Sequence, residues 1–270
     1  MSGNDLAGTV ILVVGASSGI GRRFSELAAD AGAAVAITAR RAELLDEFAA
    51  DLNSRGRPCS AHPADATDAA AAREVVEQVI DLHGGIDVVL LNAGGAPALD
   101  LRTSSAEAIT GYMRTNYDVA VNYLVPVLAH MRARGHGTVA HTNSLAGWYG
   151  IPLQGPYSAA KAALRVLFDT YRIEYAGTGI RFVSIYPGFV RTDATVGDGM
   201  SAPGEIDEDT AAEHMIRAVV RARDSYAFPR STAALVHFGR IVPPRVRRAI
   251  LAKLLLDDQQ PGGETGEQRR

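Results

Sequence analysis

Ser144, Tyr157 and Lys161 place a hydroxyl, a phenol and an ammonium within one short stretch, SLAGWYGIPLQGPYSAAK. Tyr157 and Lys161 stand four apart, so on a helix both project from one face. Pro156 suits the first turn of such a helix. Ser144 follows an apolar run ending at Thr142, where a strand would deliver it to the edge of a sheet. The three groups could converge on one substrate oxygen and move a proton to or from it. A free phenol titrates near pH 10, so a phenol acting as base at neutral pH must be acidified by about three units, or about 4 kcal/mol. One ammonium about 4 Å away supplies about that much at an effective dielectric near 20. The spacing therefore predicts a Tyr157 acidified by Lys161. By itself, such a pair would equally suit the solvated face of an ordinary amphipathic helix, and the rest of the chain decides between the two readings.

Short apolar runs alternate with helix-length amphipathic stretches along the chain. The runs are Val10–Val14, Ala33–Thr38, Cys59–His62, Ile86–Leu91, Thr138–Thr142, Phe182–Tyr186 and Tyr226–Phe228. They read as strands buried on both faces, as a parallel sheet requires. Helices are predicted over about 20–31, 41–54, 68–83, 105–134, 157–176 and 208–222. Ile20, Phe24, Leu27 and Ala31 form the predicted inner stripe of the first. Strand and helix in steady alternation mean an α/β fold, a doubly wound, mostly parallel sheet with helices on both faces. No repeat or composition break marks a second domain, so residues 1–256 are expected to be one domain and 257–270 a polar tail.

Three loops fall where such a fold binds ligands. The turn after the first strand carries Gly15, Ser17, Ser18, Gly19, Ile20 and Gly21. Its glycines permit a tight turn and close approach of a pyrophosphate to a helix N-terminus. Asn92, Ala93 and Gly94 follow the fourth strand. Pro187, Gly188, Phe189, Val190, Arg191 and Thr192 follow the sixth. Ligands of open α/β sheets bind beyond the carboxyl ends of the strands, where all three loops lie.

Composition agrees with a globular chain: 47% of the 270 residues are hydrophobic and 21% charged. A net charge of -3 leaves no electrostatic footprint for nucleic acid. Cys59 is the only cysteine, so no internal disulfide is possible, which favours a reducing compartment. With no basic leader and no apolar run long enough to span a bilayer, a soluble cytoplasmic protein is expected. No metal site is expected.

Together, the sets GASSGIG, NAG, Ser144, YSAAK and PGFVRT resemble the short-chain dehydrogenase/reductase family, over residues 6 to 230. The resemblance implies a Rossmann-fold oxidoreductase acting with a nicotinamide cofactor. It implies Tyr157 as general acid/base, Lys161 as the group that acidifies it and binds the nicotinamide ribose, and Ser144 as the residue that polarises the substrate oxygen. It further implies that Asn116 holds a water in a proton relay, that Asp65 contacts the adenine and that Thr192 holds the carboxamide. A homodimer or homotetramer, paired through the helices carrying Asn116 and Tyr157, is implied too. Val14, Leu91 and Asn143 depart from the usual pattern of the family.

The second strand ends at Ala39-Arg40-Arg41, where an NAD enzyme would place an acidic side chain for the ribose 2′-hydroxyl. Ala39 cannot accept that hydrogen bond, whereas guanidiniums fit a 2′-phosphate. This predicts NADP(H) over NAD(H). Ala96, Leu145, Trp148, Tyr149, Leu153, Gln154 and Phe189 are expected on the substrate side, and their mostly apolar character suggests a hydrophobic ketone or alcohol. The segment from Asp193 to Glu205 resembles a substrate lid. The apolar, basic stretch 233–256, divided at Pro243-Pro244, is expected to cover the pocket or join an interface, contact with a membrane surface being the less favoured alternative. A 3-oxoacyl-(acyl-carrier-protein) reductase remains open as an alternative. A non-catalytic NADP-binding regulator would ordinarily lack the tyrosine or the lysine. An isomerase or dehydratase would be expected to carry a sizeable C-terminal substrate domain.

Overall fold

The computed structural model describes residues 5–191 and 204–257. The chain runs β1 (Val10–Val14), α1 (Gly19–Asp30), β2 (Ala34–Ala39), α2 (Ala42–Ser54), β3 (Cys59–Pro63), α3 (Ala69–His83) and β4 (Val88–Leu91). It continues through α4 (Ala106–Met113), α5 (Val119–Arg134), β5 (Gly137–Thr142), α6 (Gly155–Glu174) and β6 (Ile180–Pro187). The last elements are α7 (Glu208–Val220), β7 (Ser225–Phe228), α8 (Arg230–Ile241) and α9 (Pro244–Asp257). Seven strands form one sheet in the order β3-β2-β1-β4-β5-β6-β7, every neighbouring pair parallel.

Alternate strand residues feed opposite faces of the sheet. Val13 joins Phe24 and Ala28 of α1, Phe48 of α2 and Met215 of α7 on one face. Leu12 and Val14 join Val76 of α3, Leu124 and Val127 of α5, and Phe168 of α6 on the other. This is the doubly wound arrangement, and it explains why the strands read as continuous apolar runs. The inner face of α1 centres on Gly21, Phe24, Ser25, Ala28 and Ala29. Ile20 and Leu27 of the expected stripe lie at its margin, partly buried. The helix is rotated because Gly21 must meet the backbone of the preceding turn.

The order reverses between β1 and β4, so the carboxyl ends of these two strands open a crevice. Around it the helix starts differ. Asp68 caps α3 through Ala70 N (2.8 Å) and Asp207 caps α7 through Thr210 N (2.7 Å). Ser18, at the start of α1, makes no side-chain cap. The stretch expected to be one helix over 105–134 is instead α4 and α5 joined by a π-helical turn, Arg114–Asp118. One extra residue in that turn re-aims the side chains around Asn116, a distortion frequent at functional sites.

Candidate active site

At the crevice, three strand ends are tied together by side chains. Asn92 Nδ2 donates to Gly15 O (3.0 Å), and Thr142 Oγ1 donates to Asn92 Oδ1 (2.9 Å). Gly15 adopts φ +89°, and a Cβ there would lie 2.7 Å from Ala93 Cα. A Cβ on Gly21 would lie 2.1 Å from Gly15 O and 2.5 Å from Asn92 Nδ2. Glycine is therefore obligatory at both positions, and the first turn of α1 rests directly on the loop before it. The uncapped start of α1, with no acidic residue in its first turn, leaves backbone N–H groups for an anion. Arg41 closes one side of this loop, its Nη2 donating to Ser17 Oγ (2.8 Å) and Ser18 Oγ (2.6 Å). Arg40 is exposed beside it. Asp65 Oδ1 accepts from Thr67 N and Thr67 Oγ1, both at 2.9 Å. Those bonds, with a smaller contribution from Arg40, hold its carboxyl below the usual range.

Gly21→Ala tests how tightly this turn is built. The methyl group meets backbone rather than a flexible side chain, so the loop must shift away from β4. Affinity for a nicotinamide dinucleotide, measured by fluorescence titration, is expected to fall by about 100-fold, the equivalent of one or two charge-assisted hydrogen bonds. Unchanged affinity would show that the cradle adapts.

The second half of the site is built from β5 and α6. β5 ends at Thr142, whose carbonyl accepts from Lys161 Nζ (2.8 Å). Asn143 then turns inward, almost fully buried. Its Nδ2 donates to Lys161 O (3.0 Å) and its Oδ1 accepts from Ser144 N (2.8 Å). One amide thus ties the serine to the helix that carries the lysine. Gly147, in the 3-10 turn Leu145–Trp148, sits against the same helix: a Cβ there would lie 3.1 Å from Lys161 C. Ser144 Oγ accepts from Ala146 N (3.1 Å) and stands near enough to the Tyr157 phenol to favour its ionised form. Lys161 Nζ lies 5.5 Å from the centre of the Tyr157 ring. Asn116 Oδ1 accepts from Gly95 N (3.0 Å), and its Nδ2 donates to Tyr112 O (3.2 Å). A Cβ on Gly94 would lie 2.6 Å from Asn116 Oδ1 and 3.7 Å from Lys161 Nζ. Ser144, Tyr157, Lys161 and Asn116, distant in sequence, are thereby brought to one place.

The electrostatics differ from the expectation of a phenol acidified by Lys161. Burial pushes the Tyr157 phenol up, opposed by the nearby Ser144 hydroxyl. Burial also pushes the Lys161 amine down, to about 8. Lys161 is almost wholly buried and Tyr157 partly so, and dehydration disfavours the charged form of each. Without a further positive charge, then, the phenol stays protonated at neutral pH. His141, wholly buried one residue before Thr142, has its Nε2 2.8 Å from Ser184 Oγ. Dehydration, reinforced by Lys161 and Arg172, keeps its imidazole neutral, so it adds no second cation near Lys161.

On the expected substrate side the residues divide. Leu145 and Trp148 pack with Tyr186, Ala233 and Val236, beneath α8. The Trp148 ring lies between the guanidiniums of Arg240 (4.1 Å) and Arg165 (4.7 Å). Tyr149 lies under Arg247 (5.1 Å) and next to Gly239. These three aromatic and aliphatic side chains seat the C-terminal helices. Leu153, at φ +59°, precedes α6, and its carbonyl accepts from Leu99 N (2.7 Å). That bond, with the one Gly95 N donates to Asn116 Oδ1 and the one the Tyr112 hydroxyl donates to Pro97 O, fixes the loop that carries Ala96. Gln154 is the N-cap residue of α6. Pro187 ends β6, and Gly188 N just beyond it donates to Phe228 O (2.7 Å). Phe189 is exposed, and Val190 pairs with Ile206, while Arg191 Nε meets Glu205 Oε1 at 2.9 Å. Thr192 and most of the expected lid, through residue 203, lie outside the described residues. Asn143 and Thr142 are the positioning residues that sequence reasoning missed. Asn143 stood out only as a departure from a pattern, with nothing to say that its amide would reach α6.

Comparison with known proteins agrees with this geometry. A family model described as short chain dehydrogenase matches residues 9–199. An uncharacterized oxidoreductase of Myxococcus xanthus is 31% identical over 232 residues, covering 86% of this chain and 92% of its own. A Drosophila melanogaster protein named dehydrogenase/reductase SDR family protein 7-like is 28% identical over 266 residues, covering 93% and 81%. An uncharacterized oxidoreductase of Mycobacterium tuberculosis is 31% identical over 242 residues, covering 88% and 95%. With the glycine-rich turn, the NAG loop and the Ser144–Tyr157–Lys161 cluster all at one end of a parallel sheet, this chain belongs to the short chain dehydrogenase family, whose members are oxidoreductases that use NAD(P)H.

Proposed function

We propose that this protein is an NADP(H)-dependent carbonyl reductase or secondary-alcohol dehydrogenase acting on a hydrophobic small molecule, with Tyr157 as its general acid/base. The observation that carries the reading is the meeting of Ser144, Tyr157 and Lys161 beside the Gly15–Gly21 cradle. The cradle fits the diphosphate of a dinucleotide: two glycines without room for a Cβ and an uncapped helix start. When bound, the nicotinamide supplies the hydride and, in its oxidised form, a positive charge near the site.

The chain's own residues handle the proton. A Tyr157 kept protonated by burial is ready to donate to a carbonyl oxygen, the direction of reduction. Ser144 Oγ, oriented by Ala146 N, stabilises charge as it develops on that oxygen. Asn143 and the Thr142 carbonyl hold Lys161 in place to neutralise the phenolate left behind. Asn116 fixes the Gly94–Gly95 turn across from Lys161, a position suited to a proton relay. Asp65 and Thr192 retain the adenine and carboxamide roles in this reading.

Preference for NADP(H) rests on Arg40 and Arg41, both exposed at the end of β2 beside the glycine-rich turn. Wild type is expected to favour NADPH. Arg40→Ala is expected to lower kcat/KM for NADPH by about 10- to 100-fold, the value of a charge-assisted hydrogen bond to phosphate, with NADH hardly affected. Equal efficiencies in wild type, or a preference for NADH, would refute the assignment. A carbonyl and alcohol panel followed through nicotinamide absorbance with both cofactors tests the reaction class. Net consumption of NADPH separates a reductase from a non-catalytic binder.

A dimer or tetramer belongs to the same reading. Val125 on α5, with Val166 and Ile173 on α6, is more than half exposed, as surfaces awaiting a second copy would be. We place the protein in the cytoplasm. Burial pushes the single thiol, Cys59, up to about 12, which leaves it unreactive there.

A further inference from the structure

The inner face of α8 is accounted for by Ala233 and Val236, which pack on Leu145, Trp148 and Tyr186. Its outer face is not. Leu235, Phe238 and Ile241 are 62–78% exposed, and at about 100° per residue they fall, with Ala234, in an arc of about 120° opposite the packed side. In α9, Val246 and Ile250 stand four apart on one face and are at least half exposed. Charge is segregated in the same region. From Ser225 to Ile250 the chain has five arginines and no acidic residue, although the whole chain is net negative, at -3. Arg240 covers Trp148 and Arg247 donates to Gly239 O, but Arg230, Arg245 and Arg248 are exposed with no ion-pair partner among the described residues.

We propose that this outward face of α8 and α9 docks on an anionic membrane surface. Exposed large apolar side chains and exposed guanidiniums within one segment suit a lipid interface, which accepts apolar tips below its phosphates and pairs with cations at them. A second copy suits the face less well, because a two-fold contact would set the same arginines against one another. No helix among the described residues is long and apolar enough to cross a membrane, so the contact is peripheral.

The test is co-sedimentation of the full chain at low salt with vesicles of phosphatidylcholine, with and without phosphatidylglycerol. Wild type is expected to bind the mixed vesicles at least about tenfold more tightly than the neutral ones, and to be released by added salt. Phe238→Ser/Ile241→Ser should lose about tenfold on mixed vesicles, and Arg245→Gln/Arg248→Gln should lose the preference for the anionic lipid. Trp148, the single tryptophan, lies under α8, so its unchanged emission certifies that the helix remains seated. If emission shifts in the double variant, Leu235→Ser, also on the outer face, is read in its place. Equal binding to both vesicles, binding to neither, or binding indifferent to these substitutions overturns the proposal. Light scattering that shows the apolar variants dissociating a dimer, without vesicle binding by wild type, overturns it in favour of self-association.

Discussion

Tyr157→Phe is expected to lower turnover by about 10²–10⁴-fold, the range for removing a general acid, while NADPH still binds. The substitution keeps the ring and deletes only the phenolic oxygen near Ser144, so the bond that seats Lys161 on the Thr142 carbonyl is left in place. Steady-state kinetics with an accepted carbonyl, paired with NADPH titration, checks it. Turnover near wild type would show that the proton comes from elsewhere, and the proposed mechanism would fall. Loss of both turnover and binding would mean that the phenol is structural. The pH dependence adds a second check. Because burial raises the phenol, carbonyl reduction should show no loss from Tyr157 ionisation through neutral pH, and the phenylalanine variant should lack any alkaline limb that belongs to it.

Lys161→Met is expected to do two opposite things. Turnover should fall by about 10²-fold or more, since the charge that neutralises the phenolate is gone. Stability at pH 7 should rise. The amine titrates at about 8 in the folded chain against 10.5 for an ordinary lysine. Below about pH 8 the folded protein therefore holds a charged amine that burial disfavours, and the unfolded chain binds that proton more readily. The difference amounts to about 3 kcal/mol against the fold. As pH rises from about 8 to about 10.5 the cost disappears. Methionine never incurs it, but it gives up the bond to the Thr142 carbonyl, worth about 1 kcal/mol. A net gain of about 2 kcal/mol at pH 7, fading at alkaline pH, should appear in urea unfolding. A variant less stable than wild type at pH 7 would show that the amine is better solvated than its burial implies.

A gain in stability would mark Lys161 as a residue kept for chemistry at the expense of stability, as is common where a charge must stand in a dry site. Asn143 eases that cost. By binding the Lys161 carbonyl and the Ser144 amide together, it holds α6 against the end of β5, so the lysine cannot drift toward water.

Much of this was legible in the chain by itself. Apolar runs near Val10, Val35, Val89 and Val139, separated by helical stretches, can bury both faces only in a parallel sheet covered on each side. The glycine-rich turn, Asn92, Ser144 and Tyr157 each adjoin the end of a strand or a helix start, so the order of elements alone gathers them at one edge. Such features rest on local periodicity and on spacing, which sequence carries directly. Only the tertiary structure decided that Asn143 reaches Lys161, that the joint at Asn116 is a π turn, and that Trp148 and Tyr149 seat α8 and α9. It alone showed Tyr157 raised rather than lowered, and the apolar side of α8 turned outward. Those outcomes depend on which groups distant in sequence come to share a space without water, and dehydration is a property of that space rather than of any neighbouring residue in the chain.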